Sequence, residues 1–207
     1  MNTEYEATYP NINRKKIRQK LKSVGAKLVK PQTLMVRLAF HLPKGSIIKN
    51  GWARVRNEGD EITLSVKSNE EQTIEGQKEI CLKVDNFNSA IQLLDALGCK
   101  RKALQETKRE IWYLDGCEIC IDEWPYLEPF LEIEGSSEIK VKKASQTLGF
   151  DYKKALFCSV AKLYTEKYGI PLDVINNKIP IAFKKNTFLD YKHSLENKHT
   201  KHKTNKN

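Results

Sequence analysis

Residues 3–10 read TEYEATYP, two carboxylates two residues apart in an alternating segment close to the first residue given. In a strand, side chains alternate with period two, so Glu4 and Glu6 share one face with Thr8 while Tyr5 and Ala7 share the other. Either the acid face looks at water and the pair is ordinary surface, or it looks into the protein, where neighbouring carboxylates need a cation. The fold turns on that choice.

The same two-faced pattern recurs along the chain. WARVRNEGDEITLSVK (52–67) is two alternating runs around Glu58-Gly59-Asp60, a hairpin signal. EIWYLDGCEICIDEW (110–124) is a second hairpin, turning at Asp115-Gly116, among the strongest hairpin dipeptides. With LMVRLAF (34–40), ETKREIWYL (106–114) and PFLEIEG (129–135), the pattern predicts about eight largely antiparallel strands. One face carries Glu4 and Glu6, Arg37, Arg54 and Arg56, Lys67, Glu79, Arg109, Cys120 and Asp122, and Glu132 and Glu134. The other carries Ala7, Leu38, Val55, Leu64, Ile80, Ile121 and Ile133 and their neighbours of like parity.

Between the strands lie amphipathic helices. NRKKIRQKLKSVGAK (13–27) sets Ile17, Leu21 and Val24 on one face and stops at Gly25; NSAIQLLDALGCK (88–100) does the same with Ala90, Leu94, Leu97 and Gly98. The two are one internal repeat, offset by 73 residues: Glu6 falls on Glu79, Asn13 on Asn86, Leu21 on Leu94, Gly25 on Gly98 and Lys27 on Lys100. Arg37 answers Arg109 one position out of phase. Further helices are expected at 137–148 and 151–168.

On any one strand, the simplest arrangement sends charges to water and apolar residues to an ordinary core. The helices oppose it. Their apolar stripes need a partner, and helices cover a sheet from outside, so if they pack on the apolar strand face the charged face turns inward. The expected fold is therefore α+β, a closed eight-stranded antiparallel β-barrel with helices outside and a tunnel lined by both signs of charge. Such a lining is costly unless a ligand or metal neutralises it.

Composition narrows the function. The net charge is +10, and residues 172–207 hold eight Lys against three acids, about half the excess. That segment has no sustained apolar period beyond short runs such as IPIAF, so residues 1–171 are taken as the domain and 172–207 as a basic, disordered tail. No basic-then-apolar leader and no membrane-spanning apolar run occur, and five scattered cysteines suit a reduced, cytoplasmic protein. Cys117 and Cys120 form a C-x-x-C, but alternation sends their sulfurs to opposite faces, which weighs against zinc or redox work. No P-loop spacing occurs, and the tail lysines lack interleaved aromatics, so nucleic acid is not the expected partner.

The E-x-E opening, the RVR of 54–56, the Lys ending LSVK, the KR before EIWYL, the DEW and the closing LEIEG resemble the CYTH superfamily, the triphosphate tunnel metalloenzymes. The resemblance spans residues 2–169, and YLEPFLEIEG, LGFDYKKALF and LYTEKYGI are most similar to its bacterial class IV adenylate cyclase-like group. It implies Mg²⁺ or Mn²⁺ held by Glu4, Glu6, Asp122, Glu132 and Glu134, and a triphosphate bound by Arg37, Arg54, Arg56, Lys67 and Arg109. Glu4, Glu6, Arg56 and Glu134 would form the catalytic set. The residue types suit these roles: Mg²⁺ prefers carboxylates, phosphates and water, and guanidinium groups bind phosphate oxygens bidentately. The implied activity is that of a lyase converting ATP to cyclic AMP and pyrophosphate. The alternatives are a hydrolase of thiamine triphosphate or inorganic tripolyphosphate, or a protein that holds polyphosphate without turning it over, as a monomer or homodimer. The chain departs from the family at Thr8, where E-x-E-x-K has lysine; Cys81 and Thr107 also replace commonly charged positions.

Overall fold

The computed structural model describes residues 1–69, 74 and 77–184. Eight strands form a closed antiparallel ring: β1 (Asn2–Tyr9), β2 (Lys27–His41), β3 (Gly51–Asn57), β4 (Ile62–Asn69), β5 (Gln77–Val84), β6 (Lys100–Leu114), β7 (Cys117–Glu123) and β8 (Phe130–Gly135). Their order around the ring is β1-β5-β4-β3-β2-β6-β7-β8. The helices among the described residues are α1 (Arg14–Ser23), α2 (Phe87–Ala96), α3 (Glu138–Leu148), α4 (Val160–Tyr168) and α5 (Leu172–Asn177).

The internal repeat is built in detail. Asn13 and Asn86, 73 residues apart, each cap a ten-residue helix, their side chains accepting from Lys16 N and Ser89 N. Both helices end on a left-handed glycine, Gly25 at φ 78° and Gly98 at φ 80°. The next amides, Ala26 N and Cys99 N, donate back to Leu21 O and Leu94 O, each at 3.0 Å, closing two matching Schellman turns. Fifteen-residue strands β2 and β6 follow, and they pair with each other, as β1 does with β5.

Helices cover the apolar strand face, so the charged face is inside. Ala7, Ile119, Ile121, Leu131 and Ile133 pack with Ile17, Leu21, Val141, Ala144 and Leu148 from α1 and α3. Ala53, Val55, Leu64 and Val66 pack with Ala90, Ile91 and Leu94 of α2. The β6–β7 turn is formed by Asp115 at φ 49° and Gly116 at φ 82°, the positive pair that such a hairpin requires. The sulfurs of Cys117 and Cys120 fall in different clusters, one under the helices and one with Met35 and Ile111.

Two features of the C-terminal third depart from the sequence reading. Residues 151–168 are not one helix: a 3₁₀ turn at Tyr152–Lys154 gives way to extended chain, and Leu156 exchanges backbone hydrogen bonds with Thr8 at 2.9 and 3.0 Å before α4 begins. That pairing satisfies the edge of β1 past Glu4, where its register with β5 ends. The packed domain also continues beyond the expected boundary at Pro171. Val174, Ile175, Ile179 and Ile181 are buried against Trp124, Phe130 and Tyr164. Ile181 N donates to Leu104 O and Glu106 N to Ile181 O, at 3.0 and 2.7 Å, filling the edge of β6 that the shorter β7 does not reach. The short IPIAF run thus supplies a strand edge, a role for which no long period is needed. The expectation of a disordered tail for 185–207 lies outside the described residues.

Candidate functional site

The ring interior is divided into two walls. β2, β3, β4 and β6 contribute Arg37, Arg54, Arg56, Lys67 and Arg109; β1, β5, β7 and β8 contribute Glu4, Glu6, Glu79, Asp122, Glu132 and Glu134. Register fixes the neighbours, with Arg37 opposite Arg56, Lys67 opposite Glu79, Arg109 opposite Asp122, and Glu6 opposite Glu134.

Where the walls meet, charges pair. Arg109 forks onto Asp122 at 2.8 and 2.6 Å and also donates to Glu132. Asp122 is fully buried, and these carboxylates, acting against the cost of burial, push the Arg109 pKa well up. Lys67 bridges Glu4 at 2.8 Å and Glu79 at 3.3 Å, and Arg54 reaches Glu79 at 3.1 Å. Burial, then contact with Glu79, raises Glu4 to about 8. Glu79, despite its own burial, falls to about 2 through the Glu4 hydrogen bond and the cations.

Away from these contacts the walls are unbalanced. Arg37 Nε donates to Gln105 at 2.8 Å and its guanidinium lies 4.4 Å from the Trp124 ring centroid, yet among the described residues no carboxylate pairs with it. Burial first, then Arg54, Arg56 and Arg109, hold its pKa well below the usual value. Arg54 Nε is buried with no partner. On the acid wall, burial and then the charge of Glu6 push Glu132 well above its ordinary value and raise Glu134 as well. Glu6 and Glu134 meet no cation within ion-pair distance among the described residues.

These imbalances test the implied ligands. A buried guanidinium nitrogen without an acceptor, next to a guanidinium without a counter-ion, fits an anion. Carboxylates whose ionisation is opposed by burial and by one another fit a cation. Among the described residues no three carboxylate, His or Cys groups sit close enough to enclose a metal. The acid wall therefore fits an ion whose coordination is completed by phosphate and water. The five expected metal ligands do not converge: Glu4 is drawn to Lys67, and Asp122 is locked by Arg109. Arg109 holds Glu132 as well, and Glu6 and Glu134 remain opposite each other on β1 and β8.

Three participants were missed in the sequence. Glu118 shares inward parity with Cys120 and Asp122 and lies opposite Glu134, a position its alternation signalled. Glu58 accepts from Arg56 Nε at 2.8 Å from within the turn, outside any alternating run. Trp124, just past β7, carries Arg37 on its ring, a long-range contact with no local signature.

The CYTH domain family model matches residues 40–163, more than half of the chain. The chain belongs to the CYTH family. No curated protein matches it by sequence. Solved structures do match in fold. A candidate adenylate cyclase from Vibrio parahaemolyticus is 12% identical, with 79% of this chain and 98% of that one covered and a TM-score of 0.68. A conserved hypothetical protein of Pyrococcus furiosus is 19% identical, covering 78% and 99%, with a TM-score of 0.64. A Pyrococcus horikoshii protein is 22% identical, covering 79% and 99%, with a TM-score of 0.58. At these identities the likeness is one of fold. No helix among the described residues is long and apolar enough to cross a membrane.

Proposed function

We propose that the CYTH ring of this protein is a tunnel that takes a triphosphate together with Mg²⁺ or Mn²⁺, and that the protein is an enzyme acting on that triphosphate. The observation that carries the reading is Arg37, a half-buried cation with three arginines around it and no carboxylate partner among the described residues. Arg37 and Arg54 would grip phosphate oxygens, with Arg56 and Lys67 beside them, and Arg109 would hold Asp122 and Glu132 in place. Glu6, Glu132 and Glu134 would hold the metal. A bound divalent ion would polarise the phosphate and lower the pKa of an attacking water or hydroxyl. The protein's own contribution is position and charge, which is most of what phosphoryl chemistry asks.

The favoured reaction is cyclisation of ATP with loss of pyrophosphate, in keeping with the class IV cyclase-like motifs. Hydrolysis of thiamine triphosphate or inorganic tripolyphosphate is the second reading, favoured by a charged lining of which every named member suits phosphate and none a nucleoside. A polyphosphate-binding protein without turnover is the third, favoured by Thr8 standing buried where the family has lysine. Incubating pure protein with each triphosphate and identifying the products separates all three. Cyclic AMP with pyrophosphate supports the first, orthophosphate the second, and tight binding with no product the third. Turnover should vanish with chelator, and Glu134→Gln should lower it at least tenfold, the usual scale for a group stabilising transition-state charge. Full turnover in EDTA refutes the metal assignment.

A further inference from the structure

We propose that the outer face of α1 is a binding surface for the phosphodiester backbone of nucleic acid, separate from the tunnel and recognising charge without sequence. The internal repeat supplies the comparison that reveals it. α1 and α2 stand at equivalent places, with matching caps and matching buried positions, Ile17 with Ala90 and Leu21 with Leu94. What the architecture needs of this helix is therefore visible in α2, FNSAIQLLDA, which has no basic residue. α1 is RKKIRQKLKS, six basic residues in ten and no acid.

The distribution of charge across the whole chain singles out the same helix. The chain has 36 basic and 26 acidic residues; α1 holds six and none, and residues 172–207 hold eight and three. Everything else carries 22 basic and 23 acidic residues, so the rest of the body, tunnel included, is close to neutral. Arg14 and Arg18 pair with Glu123 and Glu110, but Lys15, Lys16, Lys20 and Lys22 are exposed and form no ion pair among the described residues. Lys15 and Lys16 sit in a first turn that has no acid, where a cation opposes the helix dipole. The arrangement weakens the helix while adding nothing to its packing.

Geometry indicates the partner. Lys16 and Lys20 are one turn apart and Lys15 and Lys22 two, with Gln19 and Ser23 between them around the helix, giving a rigid polar stripe about 12 Å long at ~1.5 Å per residue. The stripe exposes no large apolar side chain, so it has nothing to insert among acyl chains, and no aromatic to stack on a base. The second basic segment starts beside it. Phe183, next to the last described residue, lines the same cavity of about 350 Å³ as Arg14 at the start of α1.

The test is fluorescence anisotropy of the full-length protein with a mixed-sequence, 5′-hydroxyl DNA duplex, which offers the tunnel no triphosphate. Binding should weaken steeply with salt. Replacing Lys15, Lys16, Lys20 and Lys22 together by Gln, which preserves helix propensity, should cost at least tenfold in affinity at low salt. It should also reduce the slope of log K against log salt by about 3 to 4, at ~0.9 per phosphate contact. Triphosphate turnover of that variant should match wild type, and its melting temperature should be equal to or slightly above that of wild type, because two cations leave the first turn of the helix. Unchanged affinity and slope in the variant overturn the proposal. So does failure of wild type to bind the duplex at low salt, or binding to phosphatidylserine vesicles in place of the duplex.

Discussion

Replacing Arg54 by Met should make the ligand-free protein more stable while removing its response to triphosphate. Arg54 is 7% exposed, and among the described residues its Nε has no partner and its one ion pair, to Glu79, is 3.1 Å long. Burial, then Arg56, bring its pKa down to about 10, against the pull of Glu79. A folded-state pKa below the ordinary arginine value means that the charged form is penalised by folding, in full at any pH below about 10. At ~1.4 kcal/mol per pKa unit, the penalty is about 3 kcal/mol. Methionine keeps the length of the stem, and Glu79 retains Lys67 at 3.3 Å, so the loss of one partner does not strand a bare carboxylate. A net gain of about 1–3 kcal/mol is expected, of the size seen when a buried charge gives way to an apolar side chain. In a domain of this length that raises Tm by about 2–4 °C per kcal/mol. Thermal melts in EDTA measure it. Tripolyphosphate with Mg²⁺ at a hundred times its Kd should then add about 2.7 kcal/mol to wild type and little to the variant. A variant that melts below wild type and still gains as much from tripolyphosphate would refute the placing of Arg54 as an uncompensated phosphate ligand.

Arg109→Met should act in the opposite direction, because it leaves the fully buried Asp122 without its fork; a loss of about 3–5 kcal/mol is expected in urea melts, and wild-type stability would contradict the pairing. The pH dependence follows from Glu4, Glu132 and Glu134, whose pKa values are raised by folding. Their contribution is complete below the ordinary value of 4.5 and is lost as pH rises through the folded value, about 8 for Glu4. Tm in EDTA should therefore fall from pH 5 to pH 8, and Glu4→Gln should flatten the fall; a Tm that rises over this range would contradict it. Truncation after Pro171 should lower stability by at least about 2 kcal/mol, since four buried aliphatic side chains worth ~1.5–3 kcal/mol each outweigh the ordering of a short segment, whereas truncation after Lys184 should leave the melt unchanged.

The ring was legible because its signals are local. Period-two alternation marked each strand, Asp115-Gly116 marked its turn, and the spacing Asn13–Gly25 against Asn86–Gly98 announced the repeat down to the capping bonds. What escaped has no local period. Ile181 joins the sheet through two backbone hydrogen bonds, and Leu156 through another two, contacts that any side chain could accompany. The division of the acid set was equally hidden. Parity placed Asp122 and Glu134 on the same face, but only the ring order puts one beside Arg109 and leaves the other beside Glu6.

The same ring order explains how a duplicated unit yields a tunnel with two unlike walls. The repeat relates β1 to β5 and β2 to β6, and each of these pairs is adjacent in the ring. Like has stayed with like there: Glu4 and Glu6 on β1 with Glu79 on β5, Arg37 on β2 with Arg109 on β6. The remaining strands are two hairpins, β3–β4 and β7–β8, which occupy opposite arcs between those pairs. Here the copies diverge. The first hairpin points Arg54, Arg56 and Lys67 inward, while the second points Asp122, Glu132 and Glu134. A polyanion carrying a divalent cation has this same polarity, negative along the chain and positive where the metal sits. Exchanging charge on one hairpin of a symmetric frame is thus sufficient to make the lining complementary to a metal-bound triphosphate. It also accounts for the imbalance in the ring: Arg37 lies in the middle of the basic arc and Glu134 beside Glu6 on the acid one, each beyond the edges where the two walls can neutralise one another.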